Sequence, residues 1–196
     1  MFQQKKTIMR KLKKYSDTKL LAMINGKKPQ EDYAFAEIFN RYADFVRGYC
    51  ICMLQNNDNA EDVFQQAMIA LYKNVRSGVK VSNIGAYLIG ISKNLFLNHI
   101  RDQKKTRSIE LNDSVIDERC ICENRELFDL IVRSLDLLDF EHREAFVLRK
   151  FFNMSFNEIA EFQNAKLSCV KMRVVRGQEK IKNILNPYIA DLERNV

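Results

Sequence analysis

Between residues 31 and 55, apolar side chains return every three or four positions, as Phe35, Ile38, Phe39, Tyr42, Phe45, Val46, Tyr49 and Met53, with no proline to interrupt them. That spacing is one stripe of an α-helix turned toward a core, and it does not fit the two-residue alternation of a half-buried strand. The same period recurs along most of the chain. Leu20, Leu21 and Ile24 mark a short helix that Ser16 or Asp17 can cap and that Gly26 and Pro29 end. Val63, Phe64, Ala67, Met68, Ala70, Leu71 and Val75 mark a helix over 60–75, opened by Asp58 and Glu61 at capping-box spacing. Ile84, Leu88, Ile91, Leu95 and Phe96 predict another over 84–101. Leu127, Leu130, Ile131, Leu135 and Leu138 predict one over 127–138, and Ala145, Phe146, Leu148 and Phe152 one over 141–152. With only 6 Gly and 2 Pro in 196 residues, turn chemistry is too scarce for packed sheets. The expected fold is all-α.

The period fails from Asp102 to Arg125, where Glu110, Asp113, Asp117, Glu118 and Glu123 mix with Arg107 and Arg119. Such a polar, aperiodic stretch reads as a flexible linker between two small helical domains. The expected order is a basic N-terminal arm over 1–15, a first domain over 16–103, the linker over 104–125, a second domain over 126–188 and a tail over 189–196. Lys5, Lys6, Arg10, Lys11, Lys13 and Lys14 make the arm basic, and Pro187 weakens the end of the last helix.

Residues 155–181 read as a helix-turn-helix. Ser155 and Glu158 stand at capping-box spacing, Ile159 and Ala160 face inward, and Asn164 tolerates the left-handed backbone of a tight turn. Ser168 is the expected N-cap of the second helix. Val170, Val174, Ile181 and Ile184 form its inward stripe, which leaves Lys171, Arg173, Arg176, Lys180 and Lys182 on other faces. A helix of this kind packs on one side and meets phosphates on the other.

A formal charge of +7 and a pI near 9.1 favour an anionic partner. Cys50, Cys52, Cys120, Cys122 and Cys169 are an odd number in a chain without a signal-peptide pattern, which predicts free thiols and a cytoplasmic protein. Cys50 and Cys52 are expected on different helix faces, and neither His99 nor His142 stands at ligand spacing to a cysteine, so no metal site is expected. No segment approaches the roughly 20 apolar residues of a membrane span. There is no Gly-rich phosphate loop, no H-E-x-x-H and no G-x-S-x-G turn, so neither an enzyme nor a cofactor is expected.

The order of these parts resembles the extracytoplasmic-function group of the bacterial sigma-70 family, over roughly residues 16–185. In the first domain the likeness rests on Phe35, Phe39, Arg41 and Tyr42, on AEDVFQQ at 60–66 and on YLIGISKNLFLNHIR at 87–101. In the second it rests on residues 135–148, on SFNEIAE at 155–161 and on CVKMRVVR at 169–176. The resemblance implies a promoter-specificity subunit whose two domains correspond to sigma regions 2 and 4. Asp62, Gln65 and Gln66 would grip the β′ clamp helices of RNA polymerase, with the β subunit as a further partner. The loop at 76–83 and the helix after it would open the −10 region, with Lys80, Asn83, Tyr87, Lys93, Asn94 and Arg101 as contacts. Lys104 and Lys105 would add phosphate attraction. The helix-turn-helix would read the −35 element, with Lys166, Ser168, Cys169 and Met172 near base edges and Lys171, Arg173 and Arg176 near phosphates. An anti-sigma protein stays open as another partner.

The chain departs from the family pattern where Tyr87 stands for the usual Trp, Asn98 for a common Asp, and Cys169 and Met172 for hydroxyl residues. Two other readings remain at this point: a regulator that binds DNA without polymerase, and a helical adaptor whose charge serves solubility.

Overall fold

A computed structural model describes the backbone of residue 8 and of residues 10–54, 57–106 and 125–194, and the side chains of residues 8, 10–54, 58–101 and 130–186. The described residues are helical and contain no strand. The elements are α1 (Asp17–Ile24), α2 (Gln30–Leu54), α3 (Asn57–Arg76), α4 (Ile84–Thr106), α5 (Arg125–Leu135), α6 (Phe140–Lys150), α7 (Phe156–Gln163) and α8 (Leu167–Arg194). The chain divides into two compact units, one of Met1–Cys50 with Asp58–Leu111 and one of Ile51–Asn57 with Asn112–Val196. No described helix is long and apolar enough to cross a membrane.

In the first unit the helical stripes supply most of the core, although Ile91 and Leu95, expected inward, are only half-buried. Ile38, Val46, Phe64, Ala67, Leu71, Ile84 and Leu88 are almost completely buried, joined by Ile89. Burial of a Leu or Ile side chain is worth about 1.5–3 kcal/mol each, so this core supplies most of the drive to fold. Ser16 caps α1 by accepting from Lys19 N at 3.3 Å. The Asp17 carboxylate works elsewhere, accepting from Arg41 at 2.9 Å and from the Tyr42 hydroxyl. Arg41 also donates to Glu37 at 2.9 Å and to the carbonyls of Leu12 and Lys13 at 3.0 and 3.1 Å. Leu12 is itself buried. The end of the basic arm is therefore held against the first unit; residues 1–7 lie outside those described.

Several boundaries differ from expectation. α3 begins at Asn57, which puts Asp58 inside the first turn rather than at the cap. Glu61, expected to close a capping box there, accepts from Arg47 at 2.8 Å and from Gln65 at 3.2 Å. α4 continues to Thr106, so the first positions assigned to the linker are helical; 107–124 lie outside the described residues. α8 passes Pro187 and continues to Arg194, so the proline does not end the last helix. Cys50 and Cys52 are both buried, and burial pushes the Cys50 thiol up to about 12.

In the second unit α8 packs against α5, α6 and α7. Leu135, Leu138, Ala145, Val147, Leu148, Ile159, Val170 and Val174 form the core, with Ile181 and Leu185 continuing it along α8. Ile184, expected inward, is only half-buried; Leu185 takes the deeper place. Gly177 is buried where α8 crosses α6, and a Cβ there would lie 3.4 Å from Phe146 Cβ. A Cβ fits there in ordinary contact, whereas a longer side chain would overpack the crossing.

Candidate nucleic-acid interface

The first unit presents two neighbouring features on α3 and the loop after it. Asp62, Gln65 and Gln66 are all exposed, on the face opposite Val63, Phe64, Ala67 and Leu71. Residues three and four apart share a helix face, so Ile69 continues this stripe. Ile69 is 52% exposed and Phe39 37% exposed, although Phe39 was expected in the core. Both line an open groove of about 410 Å³ with Asp32, Phe35, Ala36, Asn40 and Tyr72. The polar stripe therefore runs into an apolar one. Periodicity alone could not find this, because Ile69 in sequence looks like any helical isoleucine.

The loop at 77–83 follows directly. Gly78 has φ +91°, a left-handed backbone that suits glycine, and Gly78 N and Val79 N donate to Val75 O and Asn74 O, each at 3.0 Å. Arg76, the last residue of α3, pairs with buried Glu31 at 3.1 Å, and Tyr72 donates its hydroxyl to the same carboxylate. That hydrogen bond raises the Tyr72 phenol above its ordinary value. On the other side of the loop, Asn74 Nδ2 donates to Tyr87 Oη at 2.9 Å. Asn83 Oδ1 accepts from Ala86 N at 3.0 Å and so caps α4.

The residues expected at the −10 element fall into distinct situations. Lys80 is exposed in the loop. Asn83 is exposed with its carbonyl oxygen committed to the helix start, so only its amide nitrogen can donate outward. Tyr87 is half-buried with its hydroxyl engaged, and Lys93 is half-buried. Asn94, Asn98 and Arg101 are exposed at four- and three-residue spacing on α4, and Arg101 donates to Asn98 at 3.2 Å. The side chains of Lys104 and Lys105 lie outside those described.

The second unit builds its helix-turn-helix as expected up to the turn. Ser155 and Glu158 form the reciprocal capping box, Ser155 N donating to Glu158 Oε2 at 2.7 Å and Glu158 N to Ser155 Oγ at 3.2 Å. These bonds hold the Glu158 carboxyl below its ordinary value. Asn164 has φ +49°, and Ala165 N donates to Ala160 O at 2.9 Å. α8 then begins at Leu167, so Ser168 lies inside its first turn and is not the N-cap.

Lys166, Ser168, Cys169, Lys171, Met172 and Arg176 are all exposed on or beside the first three turns of α8. Arg173 is different. Its side chain is 19% exposed and donates to Gln163 Oε1 at 2.8 Å and to the Glu141 carboxylate. Gln163 in turn donates to buried Glu144 at 3.0 Å and to Glu141 O at 3.0 Å. The network fastens α8 to α6 and α7, so Arg173 orients the helix from within the unit. Val175 was not singled out beforehand, yet it is 49% exposed. Among the described residues no group of three or more His, Cys, Asp or Glu side chains could hold a metal ion.

Comparison with known proteins agrees with this architecture. Residues 38–106 match the family described as Sigma-70 region 2. The chain is 29% identical over 173 residues to the ECF RNA polymerase sigma factor SigW of Bacillus subtilis, covering 81% of this chain and 92% of that protein. Its fold is similar to that of the sigma factor RpoE, solved with the anti-sigma factor NepR from Bartonella quintana. The TM-score is 0.65 at 20% identity, over 78% of this chain and 96% of the other. It is also similar to CnrH, solved with the cytosolic domain of CnrY, with a TM-score of 0.62 at 21% identity over 87% and 97% of the two chains.

Proposed function

We propose that the chain, which belongs to the extracytoplasmic-function group of sigma-70 family factors and acts in transcription initiation with RNA polymerase, does so by recognising −35 and −10 promoter elements and opening the DNA at the −10 region. It is a non-catalytic specificity subunit. The observation that carries the finer reading is the single exposed face of α3, where Asp62, Gln65 and Gln66 run into Ile69 and the groove beside Phe39. A carboxylate and two carboxamides beside apolar anchors suit a partner helix that brings both cations and apolar side chains. The β′ clamp helices are the proposed occupant, with the β subunit contacted elsewhere.

The loop at 77–83 is the proposed site of −10 opening. Flipping a base out of a duplex costs a few kcal/mol, so the receiving loop must hold its shape before the DNA arrives. The Arg76–Glu31 and Asn74–Tyr87 contacts on either side of the loop supply that shape. Lys80, Asn83, Asn94 and Arg101 are the proposed contacts to the melted strand, with Lys93 assisting and Tyr87 acting mainly as support. Residues near the start of α8 are the proposed −35 reader, with Lys171 and Arg176 on phosphates, while Arg173 holds the helix at its angle. The proposed partition is 16–103 for polymerase and −10 binding, 104–125 for the linker and 126–188 for −35 binding. An anti-sigma partner is proposed because RpoE was solved with one, NepR. A cytoplasmic location follows from work alongside polymerase.

Run-off transcription with core polymerase on genomic fragments tests the reading: mapped start sites preceded by shared −35 and −10 sequences support it, and absence of any core-dependent product overturns it. Asp62→Lys should lower core-polymerase affinity at least tenfold with an unchanged helical spectrum. A gel shift without polymerase separates this reading from a free-standing regulator, which would bind its duplex site alone.

A further inference from the structure

We infer that the −35 reader selects its DNA through thymine 5-methyl groups, with Met172 and Val175 as the specificity-determining side chains. The inference rests on the −35 assignment above. Three observations lead to it. First, Met172 is 50% exposed and Val175 49% exposed, three residues apart on the side of α8 away from buried Val170, Val174 and Gly177. Second, Arg173, whose planar fork could otherwise read a guanine edge, is turned into the unit by Gln163 and Glu141. Third, the apolar pair is flanked by exposed Lys171 and Arg176, so the patch is framed by charge of the sign that meets a phosphate backbone.

The occupant this chemistry fits is the major groove of duplex DNA. There the thymine methyl is the one apolar group on a base edge, and apolar side chains are its partners. Glu179 is exposed one turn beyond Val175 and would meet phosphates with like charge, so the reading face ends at Arg176.

The test uses holoenzyme assembled from the full chain and core polymerase on a promoter found by run-off mapping. Each thymine of the −35 element, on either strand, is replaced singly by uracil, which removes only the methyl. At one or two positions binding should fall about fourfold, the equivalent of one buried methyl. Met172→Ser should lower affinity for the thymine duplex and erase the thymine–uracil difference at one position, with the salt dependence unchanged. Val175→Ser should do the same at a neighbouring position. A flat uracil scan, a difference that survives in both variants, or an element made only of G·C pairs overturns the inference. Wholesale scrambling of the −35 element separates the two levels. If scrambling weakens binding while uracil does not, the −35 assignment stands and the methyl readout falls. If scrambling has no effect, the −35 assignment itself falls.

Discussion

The loop between α3 and α4 and the turn between α7 and α8 both deliver a helix start to the surface, yet they are shaped by different kinds of contact. The α7–α8 turn is made locally. Ser155 and Glu158 close one helix start, Asn164 takes φ +49°, and Ala165 N returns to Ala160 O at 2.9 Å, all within a dozen residues. The 77–83 loop has local bonds too, but it is also braced by residues that meet only after folding: Arg76 pairs with Glu31 from the start of α2 at 3.1 Å, and Asn74 reaches Tyr87 on α4 at 2.9 Å. A locally capped turn presents its helix whenever the neighbouring core exists. A loop braced from a distance keeps its shape only as long as the whole unit does, which suits an element that must receive a strained base.

The contrast can be broken by substitution, beginning with the largest effect. Arg41→Ala removes the cation from the buried Glu37 carboxylate, 5% exposed, and frees the Leu12 and Lys13 carbonyls. It should cost about 3 kcal/mol. Hydrogen exchange resolved by segment should then show lost protection in 10–50 and 60–101 and none in 155–176. Equal loss in both would mean that the helix-turn-helix is not locally determined. Gly177→Leu should destabilise the second unit by about 2 kcal/mol through overpacking against Phe146, whereas Gly177→Ala should be neutral or slightly stabilising, since a Cβ meets its nearest atom at 3.4 Å. Urea midpoints of the two variants give the sign of each.

Tyr87→Phe keeps the ring and removes only the acceptor for Asn74; about 1 kcal/mol should be lost, with faster amide exchange confined to the 77–83 loop. Ser155→Ala should cost about as much and be felt only around α7.

The two units should also diverge with pH. Burial, and then the hydrogen bond to Asp17, push the Tyr42 phenol up to about 12, so its contribution to the first unit is present below pH 10 and lost as pH rises through about 12. Glu158 is held below its ordinary 4.5 by Ser155, so its contribution to the second unit is present above that value and lost as pH falls through the lowered one. Tyr42→Phe should flatten the alkaline limb and Ser155→Ala the acid limb, each read by segment-resolved exchange.

Much of the fold was legible in sequence because helices advertise themselves locally. The helices α2, α3 and α4, the Ser155 capping box and the left-handed Asn164 stand where residue spacing placed them. What sequence could not show is which of two chemically similar residues serves the interior. Arg173 and Arg176 look alike in a basic helix, but only Arg173 finds Glu141 and Gln163. Phe39 and Phe64 look alike as core aromatics, but Phe39 is 37% exposed beside Ile69 while Phe64 is buried. Nothing in the spacing around Tyr87 marks Asn74 as the partner of its hydroxyl.

The sequence by itself determined that this chain is all-helical, where most helices run, and that a capped helix-turn-helix stands near its end. Those outcomes depend on interactions within four residues, which the order of side chains encodes directly. Only the tertiary structure decided which cations are used up inside, which apolar groups are left outside, and how the 77–83 loop is braced. Each of those depends on partners distant in sequence, and a side chain's environment is fixed only when they arrive.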